Sequence, residues 1–228
     1  DPRWGHQWKA QIRAEIDLQR FDLALPLSKQ FCDAAMKHNW SDLQAQAFRL
    51  RGMLAVENLE YSEAEAMFAR AEALVLDENH HELAAIQRHW GLLLGRWGRP
   101  DESMDKLQRA ADTFRRSDDA LWLAYTLFHQ AEVQLVFLNN QQRAMALLNE
   151  AQSLFQELNY NRGFADCANG LAEVHRAMGN LANAEEAYIA SEAAFKRAGL
   201  DDAVVPMTNR GLMKLERSQF DEAHALFE

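Results

Sequence analysis

The feature that most constrains the fold of this chain is a repeat. A small side chain recurs at successive spacings of 40, 39, 41, 40 and 39 residues. The members of this first column are Ala24, Ala64, Ser103, Ala144, Ala184 and Ala223. A fixed period of this length indicates an array of supersecondary units, each stacked on the next. The 228 residues hold about 5.7 such copies (228/40).

A second column of mostly small residues stands twelve positions before the first, and thirteen before it in the fourth copy. Its members are Ile12, Gly52, Gly91, Ala131, Ala172 and Gly211. Large apolar residues follow the first column by four positions, at Phe68, Leu107, Leu148, Tyr188 and Phe227. Small residues on two antiparallel helices let their backbones approach, and a bulky residue one turn away fills the groove beside the crossing. One helix pair cannot bury its apolar face alone, so neighbouring copies must cover it.

The composition favours helices throughout. With 10 glycines and 4 prolines, the chain has little turn material for a many-stranded protein, and its commonest residues are good helix formers. We therefore predict an all-α chain with helices of about 15 to 18 residues. Turns are expected at Gly98, Asn139, Gly179 and Gly199, and the segments 41–44 and 62–65 fit capping boxes at helix starts.

The period divides the chain into six segments of one solenoid domain. They are 1–40, 41–80, 81–119, 120–160, 161–199 and 200–228. The first segment departs from the pattern, because Ile12 and Phe31 stand where the other copies mostly have small residues. Pro26 also falls inside its second helix, where a kink is expected. The last is truncated and ends on the apolar pair Leu226 and Phe227, although terminal repeats normally carry a polar cap. The chain is therefore expected to be a piece of a longer protein.

These columns resemble the tetratricopeptide repeat (TPR), in which a small residue of helix A precedes an aromatic residue and two alanines in helix B. Gly52, Tyr61, Ala64, Phe68 and Ala71 reproduce the pattern best. The resemblance implies a right-handed α-solenoid of stacked antiparallel helix pairs. The period near 40 exceeds the about 34 residues of the common TPR. In this respect the chain is similar to the arrays of maltose-activator-type bacterial regulators and of some bacterial kinases.

The charge balance narrows the classes of function. A formal net charge of −10 repels phosphate, so we expect no nucleic-acid partner. No apolar run is long enough for a membrane helix, and Cys32 and Cys167 are expected to be buried free thiols rather than a disulfide. A cytoplasmic location without a cofactor follows as the expectation.

No catalytic or metal-binding constellation emerges from the chain, so we do not expect an enzyme. The glycine-rich segment 91–98 lacks the lysine and hydroxyl residue of a phosphate loop. His80, His81, Glu82 and His89 lack the spacing of a zinc site, and the first three are interpreted as a solvated turn.

TPR solenoids bind partners in the concave groove that the A helices line. Carried over onto this sequence, the resemblance implies groove positions three residues before and one residue after each second-column residue, and Tyr125 lies nearby. The candidate site is Lys9, Arg13, Arg49, Met53, Arg88, Leu92, Tyr125, Phe128, Glu132, Asn169 and Glu173. Lys9, Arg49 and Arg88 form a cationic stripe suited to a carboxylate or an acidic peptide, whereas Glu132 and Glu173 make the other end acidic. The alternative is a set of solvated cations with no ligand. The Lys and Asn pattern of chaperone-binding TPRs is not reproduced.

Three functions remain open on the sequence alone. The first is a scaffold module of a larger bacterial signalling protein that binds a peptide or protein segment in the groove. The second is a ligand- or peptide-sensing regulatory domain that controls an attached transcription regulator or kinase. The third is self-association through the open C-terminal repeat.

Overall fold

The computed structural model describes residues 2–75 and 80–228, except for the side chains of residues 17 and 42. Within these residues the chain forms twelve α-helices and one 3₁₀ turn, Asp201–Ala203. The helices are α1 Pro2–Asp17, α2 Phe21–Lys37, α3 Ser41–Glu57, α4 Tyr61–Ala73, α5 His80–Arg96, α6 Pro100–Arg116, α7 Ala120–Val136, α8 Gln141–Glu157, α9 Asn161–Ala177, α10 Leu181–Arg197, α11 Val204–Glu216 and α12 Phe220–Phe227. The all-α prediction is confirmed.

The helices alternate between two roles. The odd-numbered helices are the A helices of successive repeats, and the even-numbered helices are the B helices. Pro26 lies inside α2 and does not end it. Most helices have 17 residues, which matches the length that the period predicts.

The two sequence columns meet at the helix crossings. A Cβ atom added to Gly52 would lie 2.8 Å from the ring of Phe68, and one added to Gly91 would lie 2.7 Å from Leu107. Phe68 and Leu107 are fully buried. Glycine is therefore required at these crossings because the bulky partner residue already occupies the space that a side chain would need.

The turns repeat a single backbone geometry. A residue with positive φ follows most helices, and Gly98, Gly179 and Gly199 hold it as predicted, with φ values of 75°, 77° and 68°. The amide three residues beyond the helix donates to a carbonyl five residues back, as Glu60 does to Ala55 at 2.9 Å. This is the Schellman arrangement, which satisfies the last carbonyls of the helix.

The turn after α7 contains one additional residue. Asn139 has a φ of 49°, and the amide of Asn140 donates to Gln134, six residues back, at 2.8 Å. The spacing of thirteen in the fourth copy therefore corresponds to a longer turn.

The predicted capping boxes are wrong. Ser41 and Ser62 lie inside the first turns of α3 and α4, and neither helix has a side-chain cap. Side-chain caps do occur at Asp119, which accepts from the amide of Trp122, and at Asn140, which accepts from the amide of Arg143. The backbone turn thus sets most helix starts without help from a hydroxyl group.

The chain divides into two compact units, residues 1–114 and 115–228. Unit 1 has a core of large apolar side chains from α1 to α5, among which Phe31, Leu50 and Phe68 are at most 1% exposed. In unit 2, Tyr188 and Met213 are fully buried beside Ala172 and Ala184. In both units residues of the repeat columns, such as Phe68 and Tyr188, belong to the core. A site is therefore sought on the faces of the A helices that lie outside the columns.

Candidate functional site

The predicted site residues divide between the two units. We call the surface that they occupy on the A helices of each unit its A face. In unit 1 the A face comprises Lys9 and Arg13 on α1, Arg49 and Met53 on α3, and Arg88 and Leu92 on α5. In unit 2 it comprises Tyr125, Phe128 and Glu132 on α7, and Asn169 and Glu173 on α9.

Arg49 is held by a buried ion pair. Its Nε donates to Glu82 Oε1 at 2.6 Å, and its Nη2 donates to Glu82 Oε2 at 3.3 Å. Both side chains are more than nine-tenths buried. The fork-to-fork geometry fits a guanidinium to a carboxylate with two bonds. Arg49 therefore already has an anionic partner within the protein.

The interpretation of Glu82 as a solvated turn residue is wrong, because it is 7% exposed and lies in the first turn of α5. The repeat register carried the missing signal. Glu82 stands nine residues before Gly91, and Leu43 stands nine before Gly52. Leu43 is 1% exposed, so a carboxylate at the equivalent position of the next repeat is expected to be buried. A buried carboxylate needs a cationic partner. His80 and His81 are exposed, and the His81 ring stands edge-on to Phe114 at 5.6 Å.

Lys9 and Arg13 supply cationic groups on α1 that are more accessible. Lys9 is half-buried and Arg13 is exposed. Burial lowers the pKa of Lys9, and the charges of Arg49 and Arg13 lower it further, while Glu82 acts in the opposite direction. Three cations and one carboxylate thus lie near one another, with an excess of positive charge. A further anion at this point would raise the pKa of Lys9 and so oppose the lowering by burial and by the arginines.

Arg88 is 6% exposed and bonds its neighbour His89, with Nη2 2.9 Å from His89 Nε2. His89 Nδ1 lies 2.6 Å from the carbonyl oxygen of Ala85. Both contacts are satisfied together by the neutral ring protonated on Nδ1, which donates to Ala85 and accepts from Arg88. The structure therefore places Lys9, Arg13 and Arg49 near one another. The guanidinium of Arg88 instead contacts the ring of His89.

Tyr125 takes part in an aromatic cluster of unit 2 that sequence reasoning missed. Its hydroxyl donates to the hydroxyl of Tyr160 at 2.9 Å. Its ring stands edge-on to Phe155, with 5.0 Å between centroids. Burial and the bond to Tyr160 raise the pKa of Tyr125 above its ordinary value.

Carboxylates gather on the A face of unit 2. Glu132 is exposed and its Oε2 lies 2.8 Å from His129 Nδ1. The pKa of Asp166 on α9 is raised to about 6, chiefly by burial and also by the charges of Asp202 and Glu132, against the opposing charge of Arg162. Arg162 also pairs with Asp202 at 3.3 Å, so three carboxylates face one guanidinium here and the surface keeps an excess of negative charge.

The remaining predicted residues of unit 2 bond to neighbouring side chains. Asn169 Oδ1 accepts from Asn209 Nδ2 at 3.1 Å. Glu173 accepts from Arg176 at 2.8 Å and from the hydroxyl of Tyr188. Phe128 is half-buried, and its ring centroid lies 5.4 Å from that of His129. The A face of unit 2 is therefore a polar network in which Glu132 is exposed and Asp166 and Glu173 are half-buried.

The described residues give no basis for several other kinds of chemistry. Among them, no group of His, Cys, Asp and Glu side chains is arranged to hold a metal ion. Cys32 and Cys167 are buried free thiols, as predicted, and burial raises the pKa of Cys32 to about 12 and that of Cys167 as well. Both thiols therefore stay protonated and unreactive near neutral pH. None of the helices in the described part combines the length and apolar character that a membrane crossing needs.

The helix pairs and their crossings define a TPR-like repeat fold, and comparison with solved structures agrees. A kinesin light chain from Podospora anserina with nearly identical TPR-like repeats has a TM-score of 0.67 at 14% identity, covering 87% of this chain and 97% of that one. A Rap protein complexed with Competence and Sporulation Factor has a TM-score of 0.73 at 12% identity, covering 100% of this chain and 75% of that one. Bacillus thuringiensis PlcR, in complex with the peptide PapR7 and DNA, has a TM-score of 0.74 at 12% identity, covering 87% and 72%. No family model matches the chain, and no curated protein matches it by sequence.

Proposed function

We propose that this chain is a protein-interaction module that binds peptide segments on the A faces of its repeats. The observation that carries the proposal is the opposite charge of the two A faces. Lys9 and Arg13 make the A face of unit 1 cationic, although the whole chain has a net charge of −10. Glu132 and Asp166 make the A face of unit 2 anionic. Such charged surfaces orient a partner and exclude partners of the wrong sign.

The proposal assigns each A face a class of ligand. In unit 1, Lys9 and Arg13 bind a carboxylate, while Met53 and Leu92, both half-buried, contact apolar groups. In unit 2, Glu132 attracts a cationic segment, and Phe128, Asn169 and Glu173 contact the same segment. Arg49 and Arg88 support the cationic face from within, because burial leaves them little surface for a ligand.

Two of the structural neighbours support peptide binding as the function. The Rap protein is complexed with Competence and Sporulation Factor, and PlcR is in complex with the peptide PapR7. The repeat period near 40 residues also makes the chain similar to the arrays of bacterial regulators. We place the module in the cytoplasm, within a larger bacterial signalling protein, without catalytic activity of its own.

A sensing role is the second candidate, and the PlcR complex favours it because that protein holds a peptide and DNA together. In this role, peptide binding changes the packing of the repeats and thereby controls an attached effector. A sensor and a scaffold differ in response, because a sensor must change conformation on binding. A change in the scattering profile at saturating peptide favours the sensor, whereas an unchanged profile favours the scaffold.

Self-association is the third candidate. Leu212, Phe220 and Phe227 near the end of unit 2 are 49%, 65% and 48% exposed. The mass measured by sedimentation over a wide concentration range decides this candidate. A single monomeric mass at every concentration removes it.

The experiment that tests the proposed function is selection of binders from a random peptide display library against the whole chain. We expect acidic peptides whose binding weakens with salt and is lost in the Lys9→Glu, Arg13→Glu double variant. The control variant is Arg109→Glu, since Arg109 is exposed on the B helix α6. If selection yields no binder, or yields acidic binders that both variants retain equally, the proposed function is wrong.

A further inference from the structure

A cavity lies at the end of the A face of unit 1. It has a volume of about 350 Å³ and is lined by Ile16, Gln19, Phe21, Met53, Leu54 and Glu57. The lining residues come from the end of α1, the turn that follows it, the start of α2 and the end of α3. Four of the six are apolar. The volume is at the lower end of the range for ligand sites in proteins and suits one large apolar side chain.

The cations of the A face adjoin this cavity. Arg13 stands three residues before Ile16 on α1, and Arg49 stands four before Met53 on α3. On each helix, the cation and the apolar side chain that lines the cavity are therefore about one helical turn, or 5.4 Å, apart. We call the two cations the charged level and the two apolar side chains the apolar level. Arg49 Nη1 lies 3.8 Å from the sulfur of Met53, so the two levels are in direct contact.

The acidic group at the cavity is already neutralised. Glu57 Oε1 lies 2.9 Å from Arg96 Nη1, on α5. Because Arg96 balances this carboxylate, the acidic side chain that lines the cavity, among those the structure describes, presents little net negative charge to an anionic ligand. Gln19 adds an amide that donates to and accepts from a peptide backbone.

We propose that this cavity is the anchor pocket for one large apolar side chain of an acidic peptide, whose carboxylate binds Lys9 and Arg13. This assignment rests on the proposed function and names the ligand class of unit 1. Charge complementarity selects the occupant, because the pocket adjoins clustered cations on a chain of net charge −10.

The distance between the two levels also fixes the spacing in the ligand. In an extended peptide, side chains two positions apart point to the same side and stand about 7 Å apart. This separation is close to one helical turn. The ligand therefore carries its apolar and acidic residues with a single residue between them, in an extended conformation.

The test uses two synthetic probes, acetyl-Ser-Phe-Ser-Glu-Ser-amide and acetyl-Ser-Glu-Ser-Phe-Ser-amide, which differ in direction. The whole chain is labelled with ¹³C at its 8 methionine methyl groups, and the methyl resonances are followed as each probe is added. We expect at least one probe to shift the Met53 resonance saturably. Replacing Phe by Ala or Glu by Gln in that probe weakens binding about tenfold each.

Variants of the chain sharpen the test. Ile16→Lys and Arg13→Glu are each expected to weaken the binding probe about tenfold. Met178→Lys is the control, because it adds the same charge at an exposed apolar residue at the end of the A helix α9 in unit 2. The probe variants need no change in the protein, so the result does not depend on whether Ile16→Lys folds.

The outcomes separate this assignment from the proposed function. If neither probe shifts Met53 while library peptides bind and depend on Lys9 and Arg13, the pocket assignment is wrong and the proposed function stands. If Met53 shifts equally with the Gln-containing probe, the pocket binds apolar groups without the carboxylate and the assignment is again wrong. If library peptides also fail to bind, both are wrong.

Discussion

The two units follow the same packing rules but carry opposite charges on their A faces. In unit 1, Gly52 and Gly91 let the helices approach, and a buried Arg49–Glu82 pair supports a cationic surface. In unit 2, Ala172 takes the equivalent position beside Tyr188, and Asp202 and Glu132 act on Asp166 against the charge of Arg162. The column residues therefore set how the helices pack, whereas the neighbouring positions differ between the units and carry the charged side chains.

The largest expected difference between the units lies in their ion pairs. Glu82→Ala leaves the Arg49 guanidinium buried without its carboxylate, so we expect the free energy of unfolding to fall by about 3 to 5 kcal/mol. Glu150→Ala breaks the pair with Arg115, in which both side chains are 47% exposed. This control is expected to cost about 0 to 1 kcal/mol. Urea unfolding measures both losses. Equal losses would show that the buried Arg49–Glu82 pair contributes no more to stability than an exposed ion pair does.

The glycine crossings provide the next largest effect. Gly52→Ala places a Cβ atom 2.8 Å from the buried ring of Phe68, so we expect a loss of about 1 to 3 kcal/mol in the free energy of unfolding. Gly98→Ala is the control, because no atom lies within 4 Å of the added Cβ and the cost comes from its φ of 75° alone. That cost is about 1 kcal/mol. A neutral Gly52→Ala variant would contradict the close crossing.

Asp166 gives unit 2 a pH dependence. Its pKa is about 6 in the folded protein, above the about 3.9 of an unfolded chain. As the pH rises from about 4 to about 6, the carboxyl group ionises in the unfolded chain first, so the native state loses stability over this window. Asp166→Asn removes this loss. We expect the variant to gain on the order of 2 kcal/mol over the natural chain near pH 7 and nothing below about pH 4.

Unfolding by urea at several pH values measures this difference. Asp221→Asn is the control, since Asp221 is exposed on α12. A gain that is constant across all pH values would show that Asp166 does not titrate within this window.

The smallest expected effect concerns a single surface cation. Lys9→Gln is expected to weaken an acidic library peptide by about two- to fivefold at low salt, which corresponds to about 0.4 to 1 kcal/mol. Titration at low and high salt measures this effect. Weakening that is the same at both salt concentrations would contradict an electrostatic role for Lys9.

Sequence reasoning reached the fold because packing leaves a periodic signal. The glycine of the second column and the bulky residue of the following helix meet in the structure at Gly52 and Phe68. The turns at Gln19 and Leu59 were not predictable, because φ values of 56° and 62° are held there by residues without a turn preference. The Schellman hydrogen bonds fix that conformation, and they depend on the backbone rather than on the side chain.

The site was less accessible to sequence reasoning because its contacts join distant residues. Arg49 and Glu82 stand 33 residues apart, and local context suggested a solvated turn for Glu82. Tyr125 and Tyr160 stand 35 residues apart. The cavity at Ile16 and Met53 requires three helix ends to meet, which no single segment of sequence specifies.

The most direct test of the account is the footprint of two peptides of opposite charge. One contains Glu and the other contains Lys at the same positions of an otherwise identical sequence, and hydrogen–deuterium exchange of the whole chain locates each peptide. The account predicts protection of α1 and α3 by the Glu peptide and of α7 and α9 by the Lys peptide. Protection of the same helices by both peptides would contradict it.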